Sequence, residues 1–465
     1  MSAPNVLAIV IDDLGAADLG CTGSTFHDTP HLDALAAQGL RCTDAYASCP
    51  VCSPTRASLL TGQAPARVGI TDWIGARSEG RLACVPFRDT LPDGLLTLPA
   101  ALRECGYQTW HVGKWHLGDG DGAPEQRGFD VNIGGCGWGA PRHGFWSPYR
   151  CPALSDGPPG EHLTDRLTDE AIALLRRRDR ARPFFLNLWH YAVHIPIEAP
   201  EPLVERYRDK ARRLGLDPAR DLVVGEAHGA LHLRGERIVR RTRQSDPAYA
   251  AMVAHLDAAI GRLLAALAAE GLADDTLVWF TSDNGGLATA EGSPTCNAPW
   301  REGKGWLADG GVRVPQIIRW PGRLAPGISR LPMWSCDLMP TCLAAAGAPL
   351  RPDAHRDGID LLPALRTGAR PPLCWHYPHY SNQGGRPGSA IRAGDWKLIE
   401  HFESGRRELY RIADDPGETR DLTAREPGHV DRLSAQLAAW RSDVCATLPV
   451  PNARWNATPG DPATV

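Results

Sequence analysis

From Asn5 to Ile11 the chain reads N-V-L-A-I-V-I, an apolar run rich in β-branched residues that halts at Asp12-Asp13. Apolarity without alternation predicts a strand buried on both faces. The pattern returns at Tyr107 to Val112, Pro183 to Trp189, Thr276 to Thr281 and Val314 to Trp320. Helical patterns separate these runs, at His31 to Gln38, Ser58 to Leu60, Leu98 to Cys105, Asp165 to Arg178 and Cys336 to Ala346. The clearest helix spans Asp246 to Glu270. Ser245 or Asp246 caps it, Pro247 opens it, Met252, Leu256, Ile260, Leu263, Leu264 and Leu267 form its stripe, and Gly271 ends it. His255 and Asp257 on that helix read as packing or surface residues rather than ligands.

Apolar strands alternating with helices predict an α/β fold, with a large mixed, mostly parallel sheet sandwiched by helices. Active sites of such sheets lie beyond the carboxyl ends of the strands. Asp12-Asp13, Lys114 to His116, His194 and Asp283-Asn284 all follow predicted strands, so four stretches converge on one edge. After Leu365 the character changes. Pro371-Pro372 and Gly384-Gly385 break the chain. Ala390 to Arg392, Trp396 to His401 and Glu408 to Ile412 then read as short strands, and His429 to Arg441 as a helix. The expectation is a catalytic domain over 1–365 and a smaller C-terminal α+β subdomain with an antiparallel sheet over 366–465, ending in an irregular tail after Pro449.

A chain of 465 residues exceeds what one hydrophobic core usually serves, which agrees with two domains. The net charge of −4 argues against a general nucleic-acid binder, so any anionic substrate needs a local cationic pocket. The basic stretch Arg234 to Arg243 reads as a solvated face. No apolar run reaches the ~18 residues of a membrane helix, and Met1 to Asn5 lacks signal-peptide features. Thirteen cysteines without framework spacing fit a reducing compartment. No membrane partner and a cytoplasmic setting are the expectations.

The chemistry centres on Cys52-Ser53-Pro54-Thr55-Arg56. Pro54 suits the first turn of a helix, which puts Cys52 just ahead of a positive helix end, with Arg56 one turn on. Together they make an anion site. Cys49-Pro50-Val51-Cys52 is also a C-x-x-C, so a redox pair or half a zinc site competes, as does an inert buried thiol. Asp12, Asp13, Asp283 and Asn284 supply hard oxygen ligands, which suit Ca²⁺ or Mg²⁺ rather than zinc.

C-x-P-x-R with its A-x-x-x-T-G tail resembles the signature of the type I, formylglycine-dependent sulfatases, an arylsulfatase-like family of the alkaline phosphatase superfamily. The resemblance implies that Cys52 is oxidised to formylglycine by a formylglycine-generating enzyme, oxygen-dependent or anaerobic. The hydrated aldehyde then attacks sulfur. It implies metal ligation by Asp12, Asp13, Asp283, Asn284 and the oxygen on residue 52. Arg56 would hold the alkoxide, and Lys114 and Lys304 would clamp the sulfate. His116 would act as the base that expels sulfate, and His194 as the acid that protonates the leaving group. Thr29 to Ala36, Gly394 to Ile399 and Glu408 to Tyr410 with Asp414 to Pro416 extend the resemblance over most of the chain. His190 is a weaker candidate that reads as structural.

The implied function is hydrolysis of sulfate esters, also aryl sulfates, with a sulfated carbohydrate (galactose or N-acetylgalactosamine type) or other sulfated small molecule as substrate. Aromatic loops at Cys136 to Trp138, Arg142 to Trp146 and His376 to Tyr380 could stack on sugars or pack the domain junction. Two rival readings stand: a phosphonate monoester or phosphodiester hydrolase using the same site, and a non-catalytic sulfated-glycan binding protein with unoxidised Cys52.

Overall fold

A computed structural model describes residues 3–455. Eight strands form the main sheet: β1 (Asn5–Ile11), β2 (Leu40–Cys42), β3 (Gln108–Gly113), β4 (Val131–Ile133), β5 (Phe184–Trp189), β6 (Thr276–Ser282), β7 (Gln316–Arg319) and β8 (Gly327–Ser329), in the spatial order β8-β2-β7-β6-β1-β5-β3-β4. β1 lies between β5 and β6 and is parallel to both. β7 runs antiparallel to β6 and β2, which makes the sheet mixed.

The uninterrupted apolarity of β1 has a direct cause. Leu7, Ile9 and Ile11 pack with the helices Leu163–Arg177 and Pro247–Ala269 on one face. Val6, Ala8 and Val10 pack on the other face with Leu59 and Leu60 of the helix Cys52–Thr61 and with Leu98 and Leu102. Both faces are covered, so no polar alternation is possible. The helix Pro247–Ala269 is long and apolar enough to cross a membrane by length and composition, although His255, Asp257 and Arg262 interrupt its apolar run. Leu256, Ile260, Leu263 and Leu267 on it are buried in the core. Its Asp257 accepts backbone N–H bonds from His31 and Leu32 at 3.1 and 2.8 Å, so it fastens the helix Pro30–Gln38.

A second sheet, antiparallel, comprises β9 (Leu373–Tyr377), β10 (Gly388–Ala393), β11 (Trp396–His401) and β12 (Arg407–Arg411). One face packs on Tyr46, Cys49 and Val51 of the first body, and the other takes the helix Pro427–Asp443. The helix Leu361–Thr367 runs across residues 365 and 366.

Several elements had no clear sequence signal: the polar helix Glu201–Arg213, the hairpin Leu222–Ala227/Arg237–Arg241, and the three-residue strands β2, β4 and β8. The hairpin corrects the reading of Arg234 to Arg243 as solvated only in part, since Arg234, Arg237 and Arg243 are exposed while Arg240 and Arg241 are held. Arg241 is buried and donates to Ser293 and Pro218 carbonyls, and Arg240 pairs with Glu226 and Glu302. The expected irregular tail is partly tied down, since Asn452 donates to Arg81 O and Gly80 O. Residues 1–2 and 456–465, which carry the rest of the terminal expectations, lie outside the described residues.

Candidate active site

All ten residues singled out in the sequence meet at the carboxyl edge of the main sheet. Asp12 and Asp13 leave β1, Lys114 to His116 leave β3, His194 follows β5, and Asp283 and Asn284 leave β6. Cys52 is the first residue of the helix Cys52–Thr61, with Val51 as its cap, one position further in than expected. All ten residues of that helix are buried, an unusual setting for a sequence so rich in Ser, Thr and Arg. Its polar groups are satisfied by the chain: Thr55 bonds the Cys49 carbonyl, Ser58 that of Pro54 and Thr61 that of Ala57, while Ser53 accepts from Ile74 N–H.

Three carboxylates face three cations out of solvent. Lys114 Nζ lies 2.6 Å from Asp12, Lys304 Nζ 2.8 Å from Asp13, and Arg56 bonds Asp283 through Nη2 at 2.6 Å and Nε at 2.9 Å. Arg56 Nη2 also stands 3.7 Å from Asp12. Asn284 Nδ2 donates to Asp13 at 2.8 Å. Burial pushes Asp12 up to about 8 against the pull of Lys114. Burial also raises Asp13, but Lys304, His194 and Lys114 outweigh it and hold that carboxyl well below the usual range. Burial takes the Cys52 thiol up to about 12 despite Lys114 and Lys304. At neutral pH residue 52 as encoded is therefore a thiol, without a thiolate's nucleophilicity.

The histidines are oriented by backbone carbonyls. His116 Nε2 lies 3.1 Å from Ile74 O, so it carries the proton and Nδ1 is the acceptor. That Nδ1 is buried and has no partner. His194 Nδ1 lies 2.7 Å from Ile195 O, which turns Nε2 toward Asp13 at 3.7 Å. Burial first, then Lys304, pushes His194 down to about 3; burial and Lys114 put His116 well below its ordinary value. Asp13 (φ 62°) and His116 (φ 58°) both adopt the left-handed region. Such strain gathers where surrounding structure dictates the geometry.

The competing readings fall away residue by residue. Cys49 is buried with its thiol pushed well up by burial, the opposite of a reactive redox pair. His190 is fully buried with neither ring nitrogen bonded, a core histidine. His376, Tyr377, His379 and Tyr380 are buried at the junction, so that loop packs rather than stacks on substrate.

A cavity of about 350 Å³ opens onto this cluster. Cys52, His116, His194 and Lys304 form its floor, and Trp73, Arg142, Glu291, Asn382 and Gln383 its walls. Apart from Arg142, which sits in one of the aromatic loops, sequence reasoning missed these wall residues. They come from separate loops with no motif of their own.

Buried carboxylates, a fixed ring of cations and a cysteine at a helix start define a hydrolase for esters of tetrahedral anions. The comparisons narrow that class. The Sulfatase family matches residues 4–348, and the family described as N-sulphoglucosamine sulphohydrolase, C-terminal, matches 300–442. Human arylsulfatase A is 34% identical over 440 residues, covering 91% of this chain and 80% of the relative. Human N-acetylgalactosamine-6-sulfatase is 33% identical over 391 residues, covering 78% and 66%. A solved structure described as Ps i-CgsB in complex with k-i-k-neocarrahexaose superposes with TM-score 0.76 at 26% identity, covering 98% of this chain and 96% of that one. The chain belongs to the sulfatase family, and it is an enzyme that hydrolyses sulfate esters. The non-catalytic reading is thereby set aside, and the phosphonate reading is not favoured.

The family works with a metal ion and formylglycine. The residues fit a hard cation. Ligand atoms of Asp12, Asp13, Cys52 and His194 all lie within 4.8 Å of one another. Asp12 Oδ1 and Asn284 Oδ1 are buried without a hydrogen-bond partner, and the oxygen donors are those calcium or magnesium prefers.

Proposed function

We propose that the ester cleaved is carried by a sugar, with residues 1–365 supplying the reaction centre and 366–465 part of the wall around the leaving group. The carrying observation is the cavity itself. Beyond the reactive floor it presents the half-buried indole of Trp73 beside Glu291, Asn382 and Gln383, an apolar face flanked by hydroxyl-bonding groups. The sugar-directed name of the N-acetylgalactosamine-6-sulfatase relative and the oligosaccharide in the Ps i-CgsB complex support the same reading.

Asp12, Asp13, Asp283 and Asn284 would hold the cation, Ca²⁺ in this reading with Mg²⁺ as the alternative. The cation and a formylglycine formed from Cys52 supply charge neutralisation and a nucleophilic oxygen. Lys304, held by Asp13 at the cavity floor, and Lys114, held by Asp12 and buried behind it, would bind sulfate oxygens. Arg56, braced on Asp283, keeps positive charge beside residue 52. The partnerless Nδ1 of His116 is the proton acceptor. His194 borders the cavity, where the negative ester raises its proton affinity and suits it to protonate the leaving alkoxide. Cys52 is only 3% exposed, so a maturation enzyme must reach it before the chain folds.

The test is a panel of defined sulfated mono- and disaccharides alongside 4-nitrophenyl sulfate, after peptide mass spectrometry has confirmed the ~18 Da loss of cysteine conversion. Turnover of at least one sulfated sugar is expected. Hydrolysis of the aryl ester with every sugar inert would overturn the carbohydrate reading.

A further inference from the structure

Arg142 is the one cavity-wall cation whose charge is not already committed. Among the described residues, Lys304 is paired with Asp13, whereas Arg142 has no carboxylate within ion-pair distance. Its guanidinium lies 5.2 Å over the ring of Trp138. That stacking leaves the N–H edge of the fork free to donate. The backbone presenting it is fixed. Pro141 is buried, Gly144 N–H closes a turn onto Pro141 O at 3.0 Å, and the next residue, Phe145, donates its N–H to Glu198 at 2.7 Å. Glu198 is thus occupied by backbone. The only carboxylate in the cavity wall, Glu291, accepts from Gln383.

The cavity is therefore electrically lopsided beyond the reactive floor, with a preset, uncompensated guanidinium on one loop and a hydroxyl-accepting carboxylate on another. Arg142 is exposed, so a neutral sugar would leave its guanidinium to water, whereas an anionic one could replace that water with a charge-assisted pair.

Building on the sugar-ester reading above, we infer that Arg142 is a specificity residue that pairs with a second anionic group on the leaving part of the substrate. A carboxylate and a sulfate share the required chemistry, two oxygens that match the guanidinium fork.

The experiment compares matured wild type with Arg142→Gln and Arg142→Lys, matched for thermal melting. Three substrates are used: a monosulfated sugar, the same sugar with a second sulfate, and the same sulfated sugar joined to a uronic acid. The readout is the ratio of kcat/KM for each dianionic substrate to that of the monosulfated one, at low and high salt. Wild type should prefer at least one dianionic substrate, and the preferred one identifies the anion. Arg142→Gln should cut that ratio about ten-fold, chiefly through KM, as expected for losing one charge-assisted pair. Arg142→Lys should restore part of it, and added salt should shrink the wild-type preference. A wild type that hydrolyses the sugars without preference, or an Arg142→Gln enzyme that keeps the ratio, overturns this inference alone. Failure on every sugar, with the aryl ester still cleaved, overturns the sugar reading as well.

Discussion

Cys52 shows how far a single side chain depends on its surroundings. Its thiol is protonated in the fold, with burial taking it up to about 12, so the encoded residue is a poor nucleophile. Cys52→Ala is therefore expected to reduce sulfate-ester turnover to background while the melting temperature stays close to wild type; persisting turnover would remove residue 52 from the reaction. Gly139 makes a subtler point. A Cβ there would stand 2.6 Å from His116 Cε1 and 2.8 Å from Nε2, and the ring is already fixed by Ile74 O. Gly139→Ala must displace the imidazole. A displacement on the scale of 1 Å costs roughly 100-fold in rate, so kcat should fall by about that factor with KM little changed. An unaltered kcat would show that His116 needs no such placement.

At the scale of elements, what the sequence revealed was whatever local chemistry imposes. Strand ends bearing Asp12-Asp13 and Asp283-Asn284 could be recognised because a strand buried on both faces leaves one apolar signature and an abrupt polar stop. The cavity wall was illegible for the opposite reason. Trp73, Glu291 and Gln383 lie in loops brought together by long-range packing, and no spacing in the chain records that. The joint between sheets was equally hidden. Lys397 on β11 is fully buried, 2.7 Å from Asp309 and 2.9 Å from Glu418, and Asp309 opens the short helix just after the Lys304 loop. Arg313 and Tyr46 complete the contacts of Asp309. Removing one partner of such a buried set strands the others, at a cost of about 3–5 kcal/mol. Lys397→Met should lower the denaturation free energy by that order, read by chemical unfolding; a change within error would mean that Asp309 is neutralised by Arg313 and Glu418 by Arg301, 3.7 Å away, alone.

At the scale of the whole molecule, the cavity loop is tied to the C-terminal sheet through one group whose charge opposes folding. Asp72, 1% exposed, sits in the loop that carries Trp73 into the cavity, and it receives the Tyr377 hydroxyl of β9 at 3.0 Å and the Trp73 N–H at 2.9 Å. Burial raises it from 3.8 to about 7, those donors opposing. A folded-state value above the unfolded one means the native chain binds the extra proton. Its contribution to stability is thus complete below about pH 4 and declines as pH rises to about 7, beyond which the loss is constant. A ten-fold difference in proton affinity between the folded and unfolded chains corresponds to about 1.4 kcal/mol, so the loss is on the order of a few kcal/mol. Asp72→Asn keeps the acceptor for both donors. Its amide also faces His379 Nδ1, which is buried without a partner and 3.8 Å from the Asp72 carboxylate. Subtracting the variant's denaturation free energy from that of wild type cancels the other titrating groups. That difference should fall steadily between pH 4 and 7, with the variant the more stable at pH 8. A difference that does not move with pH would show Asp72 to be charged throughout, and the tie between the cavity loop and the C-terminal sheet to be an ordinary ionic hydrogen bond.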